Sequence, residues 1–364
     1  MGMPRIAVVF GGPSPEHDIS ILTGLMAART LAEGGVDLVA VYWTTTGEWF
    51  EVDPRAEGAD FVDGVPRDAK ELRFEAVPGA GFVTGGRLGR KSLGVEVVLN
   101  ACHGRPGEDG TLQALLDSAG IRGTGPSVAN QSLAMDKLAF GASMAAAGLP
   151  VLDRQPLDPD VQPEGAGPFI VKPRFGGSSI GIEIVEDHAT AVALLRTSPH
   201  MSLGGVLEPF IEGAEDLNVA VRTWPVLQLS PIERPLKAGF YGYQEKYLSG
   251  GGLAGSRREL PADIPEEIGD RLRLLAATVS RVAGVRGVAR MDFLLVDGEV
   301  FVNEVNNPPG SFSTYLWREA GVAPITLFED MLEEAERGEG PSYTVAGADG
   351  SALRDAGSIA AKLG

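Results

Sequence analysis

Three oxygen-bearing side chains near the carboxyl end of the chain could bind a divalent cation. Asp292 lies two residues after Arg290 in one predicted strand, and Glu304 lies two residues before Asn306 in the next. Since successive side chains of a strand point to opposite faces, the members of each pair share a face. Two carboxylates and an amide oxygen suit a hard cation such as Mg²⁺, and the guanidinium of Arg290 adds a group that binds anions.

The register between these two strands decides whether the carboxylates meet. A two-residue loop of Asp297 and Gly298 would place Asp292 and Glu304 on opposite faces of the pair. A loop with an odd number of residues, or a β-bulge, would pair the two acids directly, and we predict this second register. The alternative is that the acids form the solvated face of an ordinary antiparallel pair.

A glycine-rich turn follows a predicted strand that carries a lysine. Gly176, Gly177, Ser178 and Ser179 come shortly after Lys172 and before the next strand. Glycine lets backbone N–H groups approach phosphate oxygens, and a nearby lysine can neutralise them. The P-loop pattern is absent, so this turn alone fits a plain hairpin loop with a solvated lysine equally well.

Two loops of the amino-terminal region also follow predicted strands, at 12–20 and 103–110. Open parallel sheets place ligands at this edge. Glu16 and His103 are the residues of these loops that could contact a substrate. Each also has an ordinary explanation: an acid in the first turn of a helix offsets the helix dipole, and a loop imidazole often bonds to backbone.

The hydrophobic pattern predicts the scaffold that positions these residues. Short β-branched runs at 6–10, 38–43 and 95–99, with a helical pattern at 19–31, predict a parallel sheet with crossover helices. The stretch 53–94, rich in glycine and charge, is predicted as an irregular excursion from that sheet. A helix is predicted over 126–147. Strands dominate afterwards, at 169–172, 180–185, 206–211, 217–222, 288–296 and 300–306, with helices at 189–195 and 266–282.

Composition excludes several classes of protein. The 364 residues, 44% hydrophobic and 22% charged, are enough for two or three domains with sizeable cores. A formal charge of 31 − 49 = −18 argues against nucleic acid as a partner. Glycine (49) and proline (25) interrupt the apolar stretches, which argues against a membrane span. The single cysteine, Cys102, and the lack of a secretion signal favour a cytoplasmic protein. With one cysteine and four histidines, the sequence favours magnesium over zinc.

The order of the motifs resembles that of D-alanine-D-alanine ligases of the ATP-grasp fold. The resemblance runs from about residue 5 to about residue 335 and rests on seven motifs. They are Gly11-Gly-x-Ser-x-Glu16, His103-Gly-x-x-Gly-Glu-Asp-Gly110, Met135-Asp-Lys137, Val171-Lys-Pro-x-x-x-Gly-Ser-Ser179, Glu245-Lys-Tyr247, Arg290-x-Asp292 and Glu304-x-Asn306.

The resemblance implies an ATP-grasp fold of mixed α/β and α+β class, with a Rossmann-like parallel-sheet domain at the amino terminus. That substrate-side domain would cover 1–127, the central ATP-grasp lobe 128–209, and the carboxyl-terminal lobe 210–364. The last lobe would carry the metal site and a mobile loop, and the two lobes would clamp ATP between their sheets.

The resemblance also implies which residues hold ATP and its metal. They are of four kinds: phosphate-binding groups, the adenine-binding hinge, a ribose-binding carboxylate and metal ligands. In that order they are Lys137, Lys172, Lys246, Ser178 and Ser179; Glu208, Phe210 and Ile211; Glu215; and Asp292, Glu304 and Asn306, which would bind two Mg²⁺ or Mn²⁺ ions.

In the implied reaction, the carboxylate of one amino acid attacks the γ-phosphorus of ATP, and the amine of a second attacks the resulting acyl phosphate. Arg290 and the N–H of Gly310 match the donors that stabilise the oxyanion. Glu16 matches the group that binds the first ammonium and closes a hydrogen-bonded triad with Ser178 and Tyr247. This triad would hold the loop 241–258 over the site as a lid. Further substrate contacts are implied for His103, Tyr241, Tyr315 and Leu316.

The chain departs from the family pattern at the second substrate. Tyr315 stands where the family usually has a serine, before Leu316, to hold the carboxylate of that substrate. A phenol fills far more space than a serine side chain, which leaves open a different second amino acid or a hydroxy acid. A nucleotide-binding regulator without catalysis is the alternative from another class. The resemblance itself implies a cytoplasmic homodimer that joins two D-alanines for peptidoglycan precursors and acts on small-molecule amino acids.

Overall fold

The computed structural model describes the greater part of the chain. The described residues are 5–85, 89–236, 257–340 and 343–360. The predicted site residues of the lid, Tyr241, Lys246 and Tyr247, lie outside them.

Within the described residues, the amino-terminal part is built on an eight-stranded mixed sheet. Its strands are β1 (Ile6–Gly11), β2 (Leu38–Trp43), β3 (Trp49–Val52), β4 (Lys70–Glu75), β5 (Gly81–Thr84), β6 (Lys91–Ser92), β7 (Val97–Asn100) and β8 (Arg122–Gly123). The order is β6-β5-β4-β3-β2-β1-β7-β8, and the pairs β2-β1, β1-β7 and β7-β8 are parallel. Helices α1 (His17–Glu33) and α2 (Thr111–Ala119) belong to this part. The predicted parallel sheet with crossover helices is confirmed for β1, β2 and β7, and β8 adds a parallel strand that was not predicted.

The prediction of an irregular excursion over 53–94 was wrong. This stretch adds β4, β5 and β6 to the same sheet, each antiparallel to its neighbour. The physical reason is that these strands are short and bury few apolar side chains, Leu72 in β4 and Phe82 and Val83 in β5. Leu72 is 2% exposed and Phe82 is 1% exposed, and the Phe82 ring meets that of Trp49 at 5.4 Å. So few apolar residues in each strand leave a weak alternation in the sequence.

The central part carries a second sheet of order β11-β10-β12-β9. Its strands are β9 (Gln155–Pro156), β10 (Phe169–Pro173), β11 (Glu183–Val185) and β12 (Gly205–Pro209). Its helices are α3 (Val128–Met135), α4 (Lys137–Ala146) and α5 (His188–Thr197).

The single helix predicted over 126–147 is two helices that meet at Asp136. This residue leaves the helical conformation (φ −84°, ψ 101°) and caps α4, because its side chain accepts hydrogen bonds from the N–H groups of Leu138 (3.1 Å) and Ala139 (3.3 Å). Arg174 holds the same carboxylate with two bonds of 2.9 and 2.6 Å. The break fixes Lys137 as the first residue of α4.

The carboxyl-terminal part carries a third sheet of order β14-β13-β17-β18 and a short pair, β15 with β16. Its strands are β13 (Glu215–Arg222), β14 (Gln228–Leu229), β15 (Arg234–Pro235), β16 (Arg258–Glu259), β17 (Val288–Val296) and β18 (Glu299–Asn306). Its helices are α6 (Glu266–Val282), α7 (Thr314–Glu319), α8 (Pro324–Arg337) and α9 (Ser351–Asp355).

Hydrophobic cores join these parts across the predicted domain boundaries. Helix α8 packs its buried Phe328 into one core with β1 and α1 of the amino-terminal sheet. Helix α4 packs Phe140 and Met144 into another core with β13, β17 and α6. Because these cores contain residues from both sides of the boundaries, they do not delimit the domains. The division at 127 and 209 stays a prediction. Among the described residues, no helix combines the length and the apolar character that crossing a bilayer would require.

Candidate active site

A cavity of about 410 Å³ lies between the second and third sheets. Lys172 on β10 and Glu208 on β12 line one side, while Asp292 on β17 and Glu304 on β18 line the other. Phe210 and Ile211, which follow β12, line it as well. The cavity thus gathers residues that the sequence assigned separately to phosphate, adenine and metal binding.

The predicted register of the two strands that carry Asp292 and Glu304 is confirmed. Asp292 pairs with Glu304, and Arg290 pairs with Asn306, because a bulge between Asp292 and Phe293 shifts the register. On the loop side of the bulge the pairing is that of a two-residue turn, in which Phe293 faces Val302. Asn303 is the extra residue, and it brings both carboxylates to the cavity.

The donor set fits a divalent cation. Two carboxylates directly opposite one another on neighbouring strands repel unless a positive group lies between them. In this structure Arg290 provides that charge, donating from Nε and Nη2 to the two oxygens of Asp292 at 2.6 and 2.7 Å. The Asn306 amide lies 3.3 Å from the same carboxylate. No cluster of three or more His, Cys, Asp and Glu metal ligands occurs in the described part of the chain, so the amide would have to complete the set.

The two lysines predicted to bind phosphate, Lys137 and Lys172, both contact groups near the glycine-rich turn or the cavity. Lys172 donates to Glu208 Oε2 at 2.6 Å, and Lys137 donates to the carbonyl oxygen of Gly176. Lys137 lines a small cavity that shares Glu304 with the larger one. Burial lowers the pKa of Lys137, and the neighbouring Glu304 opposes this shift. Both lysines therefore line cavities that also contain Glu304, one of the predicted metal ligands.

The Glu208 side chain forms ion pairs with two cationic side chains of the protein. Its carboxylate is 2% exposed and lies 3.0 Å from Arg154 Nε and 2.6 Å from Lys172 Nζ. Burial alone would raise the pKa of Glu208, but Lys172, Arg154 and Lys137 together hold it below the ordinary value. The backbone N–H of Phe210 donates to Pro168 at 3.0 Å. Any hydrogen bond between this hinge and adenine must therefore come from other backbone groups.

The carboxylate predicted to bind ribose does not line the cavity; its neighbour does. Glu215 is 48% exposed and forms an ion pair with Arg234 at 3.0 Å. Asp216 is the acid of β13 among the residues that line the cavity. Strand alternation explains the difference, because Glu215 shares a face with Leu217, whose side chain is in the core.

Glu16 and Ser178 meet as the resemblance implies. The Ser178 hydroxyl donates to Glu16 Oε1, and Glu16 is 7% exposed at the start of α1. Ser178 and Ser179 have φ values of 53° and 59°. Two glycines allow this approach, because a Cβ at Gly104 or Gly177 would lie 2.7 or 3.0 Å from Glu16 Oε2. Tyr247, the third member of the triad, is outside the described residues.

His103 holds the loop after β18 rather than lining the cavity. It is 3% exposed, and its Nε2 lies 3.0 Å from the Thr23 hydroxyl on α1. That hydroxyl accepts the N–H of Ser311 at 3.1 Å. Burial lowers the pKa of His103 to about 4, although a hydrogen bond with the backbone of Pro308 opposes the shift. The imidazole is thus neutral at physiological pH and connects α1 to the loop of Gly310.

We expect His103 to make the protein sensitive to acid. Because its pKa is lower in the folded than in the unfolded state, its contribution to the free energy of unfolding is complete above pH 6.5 and is lost as the pH falls towards 4. The expected loss over this range is about 3 kcal/mol. Urea unfolding at several pH values would measure it. The His103→Gln variant should lack this component, and an unchanged pH profile in that variant would contradict the assignment.

Tyr315 is already committed to a neighbouring acid. Its hydroxyl donates to Glu233 Oε2 at 2.7 Å, and Arg258 contacts the other oxygen of Glu233 at 3.2 Å. The Arg258 guanidinium also lies 4.4 Å from the centre of the Tyr315 ring. Leu316, the other predicted contact of the second substrate, has a fully buried side chain in the core. The Tyr315 proton is therefore not available to bind a substrate carboxylate in this arrangement.

Gly310 begins a tight turn between β18 and α7. The next three residues, Ser311, Phe312 and Ser313, have φ values of 48°, 50° and 49°. Such left-handed residues are strained and are often found at functional sites. Phe312 is fully buried and anchors the turn.

Sequence reasoning missed two groups of this site. One is Arg154, which contacts Glu208 but belongs to no motif. The other is Glu108, whose carboxylate accepts the N–H of Gly104 and lines the small cavity with Lys137. Burial and the nearby Glu16 raise the pKa of Glu108 well above its ordinary value. Glu108 stands within the His103–Gly110 motif, so its position was visible in the sequence, whereas Arg154 gave no such signal.

Comparison with known proteins gives a consistent result. Residues 5–126 match the model of the D-ala D-ala ligase N-terminus, and residues 153–333 match that of the D-ala D-ala ligase C-terminus. A D-alanine--D-alanine ligase of Mycobacterium sp. (strain KMS) is 33% identical over 366 residues, covering 92% of this chain and 97% of the relative. One from Campylobacter concisus is 28% identical and covers 91% of this chain and 94% of the relative.

Solved structures show the same architecture. The VanG D-Ala:D-Ser ligase from Enterococcus faecalis superimposes with a TM-score of 0.76 at 24% identity, covering 91% of this chain and 99% of that chain. The D-alanine-D-alanine ligase from Helicobacter pylori gives 0.72 at 23% identity, covering 90% and 98%. The predicted ATP-grasp fold is confirmed by this likeness.

Proposed function

Because the chain belongs to the D-alanine-D-alanine ligase family, we propose that it joins two D-alanines at the expense of ATP to make a precursor of peptidoglycan. The enzyme is an ATP-dependent ligase whose substrates are small molecules. One observation supports the assignment of its site above others: Asp292 and Glu304 pair directly and face the same cavity as Lys172.

The reaction has two steps. An oxygen of the first carboxylate attacks the γ-phosphorus, the bond from that phosphorus to the bridging oxygen breaks, and ADP leaves. The amine of the second amino acid then attacks the acyl carbon, loses a proton, and inorganic phosphate leaves. Lys137 and Lys172 would neutralise the phosphates, and Ser178 and Ser179 would contact them through the turn.

The metal would be held by Asp292, Glu304 and Asn306, and we propose two Mg²⁺ ions, with Mn²⁺ as a substitute. Bound by these residues, the metal ions would neutralise charge on the transferring phosphoryl group. The carboxylate that binds the ribose would be Asp216 rather than the predicted Glu215, a proposal supported by the position of Asp216 in the cavity wall.

The amino-acid substrates would be bound on the other side of the glycine-rich turn. Glu16 would bind the ammonium of the first D-alanine, because its carboxylate is buried beside Ser178. Arg290 and the N–H of Gly310 would stabilise the oxyanion. His103 would act by holding the Gly310 loop, through Thr23.

The chain departs from the family pattern at the second substrate, where Tyr315 replaces the usual serine. Its proton is directed to Glu233, so the acceptor carboxylate would need Arg290 or backbone groups. This observation favours a test of acceptors other than D-alanine, including other D-amino acids and hydroxy acids.

The experiment is an ADP-release assay with D-alanine alone, then with D-alanine and each of a panel of D- and L-amino acids and D-hydroxy acids. We expect turnover with D-alanine alone and formation of the dipeptide, measured by mass spectrometry. Turnover only with another acceptor would reject D-alanine as second substrate. Binding of ATP without ADP release for any amino acid would favour a regulator without catalysis.

Three further expectations belong to this proposal. The enzyme would work in the cytoplasm, where its nucleotide is made, and would form a homodimer, as the resemblance implies. Sedimentation of the purified protein would test the dimer. The domain division at 127 and 209 would be tested by limited proteolysis with and without nucleotide.

A further inference from the structure

Arg154 joins three parts of the structure, although it belongs to no motif. Its side chain is 5% exposed, and its Nε lies 3.0 Å from Glu208 Oε1 on β12. Nη1 donates to the backbone oxygen of Lys137 at 3.2 Å, at the start of α4. Nη2 donates to the backbone oxygen of Asn303 at 2.5 Å and to its side-chain oxygen at 3.1 Å. One guanidinium therefore contacts the hinge, a phosphate-binding helix and the metal-binding hairpin.

Asn303 is the residue whose insertion sets the register of the proposed metal ligands. On one side of it Val302 faces Phe293, and on the other Glu304 faces Asp292. A bulge leaves its extra residue without its usual partner in the ladder. A carbonyl that is shielded from water and has no partner destabilises the fold. Arg154 supplies the donor for this carbonyl, so it stabilises the bulged register over the regular one.

The residues just before Arg154 support the same stretch of β18. The N–H of Val302 donates to the backbone oxygen of Pro150 at 2.8 Å, and Val151 forms a parallel bridge with Val302. Because β18 is at the edge of its sheet, the segment 150–154 covers that edge beside the bulge. Backbone contacts hold Val302 and the arginine holds the next residue.

The surroundings of Arg154 are shaped for an arginine. A Cβ at Gly141 of α4 would lie 2.9 Å from Arg154 Cδ, so the helix has a glycine where the stem passes. Glu208 compensates its charge. Lysine has a single ammonium and could not reach Glu208, Lys137 and Asn303 in the same geometry.

We propose that Arg154 is a positioning residue for the divalent metal site: by holding Asn303 in the bulge, it keeps Glu304 opposite Asp292. The inference rests on the proposed role of Asp292, Glu304 and Asn306 as metal ligands. Arg154 lines the small cavity with Glu304 and Asn306, and its proposed action is through the hairpin that carries the ligands.

The test measures nucleotide binding rather than turnover. Isothermal calorimetry with an ATP analogue that has an imido bridge between the β- and γ-phosphates gives its affinity with Mg²⁺ and without it. In the wild type, Mg²⁺ should increase this affinity. We expect Arg154→Lys to reduce the increase about 10-fold, in the range found when a residue that orients a metal ligand is replaced. Affinity without Mg²⁺ should change much less.

Two companion variants make the test decisive. Arg222→Lys is the matched control, since Arg222 is also poorly exposed (14%) and ion-paired, to Asp330 at 2.5 Å, but does not line the cavity; it should keep the full effect of Mg²⁺. Asn303→Ala removes the side-chain oxygen that accepts a hydrogen bond from Arg154. This variant should also reduce the effect of Mg²⁺ on affinity, about 3-fold. It decides the matter if Arg154→Lys does not fold.

The outcomes separate this inference from the function on which it rests. If the affinity of the wild type for the analogue is the same with and without Mg²⁺, the proposed metal site itself is contradicted. A wild type that responds to Mg²⁺, with Arg154→Lys and Asn303→Ala responding equally, would overturn the role of Arg154. An equal loss in Arg222→Lys would also overturn it, because the effect would then be general destabilisation.

Discussion

Replacement of Arg290 by alanine is expected to lower kcat at least 100-fold while leaving ATP bound. The guanidinium is 15% exposed and makes two bonds to Asp292, so its position is fixed before substrate arrives. A fixed donor to a developing oxyanion typically lowers the barrier by about 3 kcal/mol, which is a factor of 10²–10³ in rate. Nucleotide binding should survive, because Lys137, Lys172 and the cavity walls are unchanged.

Steady-state ADP release and calorimetry with the imido analogue would measure the two parts of this prediction. Arg290→Lys should give an intermediate rate, since an ammonium keeps the charge but cannot form both bonds to Asp292. Arg222→Ala is a matched control, an arginine of the same sheet that pairs with Asp330 outside the cavity; its kcat should stay near that of the wild type. A kcat of Arg290→Ala within 10-fold of the wild type would contradict the role of Arg290.

The register of the hairpin that carries Asp292 and Glu304 shows how far the sequence could predict this site. The sequence allowed two registers, and the bulge at Asn303 decides between them. Its signal was present, because Val300 and Val302 alternate, but the next buried valine is Val305, after two polar residues in succession. A skipped step in the alternation of a strand indicates a bulge. The same reasoning would have selected Asp216 over Glu215, which shares a face with the buried Leu217.

Arg154 could not be predicted in this way. Its contacts join residues that lie 17 and 149 positions away, at Lys137 and Asn303. No periodicity or spacing marks a side chain whose role depends on three separate parts of the fold. The amino-terminal sheet shows a related limit, since β4 to β6 bury few apolar residues, among them Leu72 and Phe82. Local patterns report the strands that bury many apolar residues and miss those that bury few.

The charge of Glu208 is expected to be the largest single contribution to stability in the cavity. Its carboxylate is 2% exposed and lies between Lys172 at 2.6 Å and Arg154 at 3.0 Å. Glu208→Gln keeps the shape but leaves these cations without their buried counter-charge. Removing one partner of a buried ion pair typically destabilises by about 3–5 kcal/mol, because the remaining charge stays desolvated. Urea unfolding at neutral pH would measure this loss.

Glu215→Gln is the matched control for this prediction. Glu215 is the same residue type, 48% exposed, and pairs with Arg234 at 3.0 Å. An exposed ion pair contributes only about 0–1 kcal/mol because water and salt screen it. A loss in Glu208→Gln no larger than in Glu215→Gln would show that burial does not strengthen the Glu208 pairs.

The pH dependence gives an independent check on the same carboxylate. Since the pKa of Glu208 is lower in the folded state, its contribution is complete above the unfolded value of about 4.3 and is lost as the pH falls further. The difference in unfolding free energy between the wild type and Glu208→Gln should therefore be constant near neutral pH and shrink below about pH 4. A difference that persists unchanged into acid would contradict the assignment of this stability to the charge of Glu208.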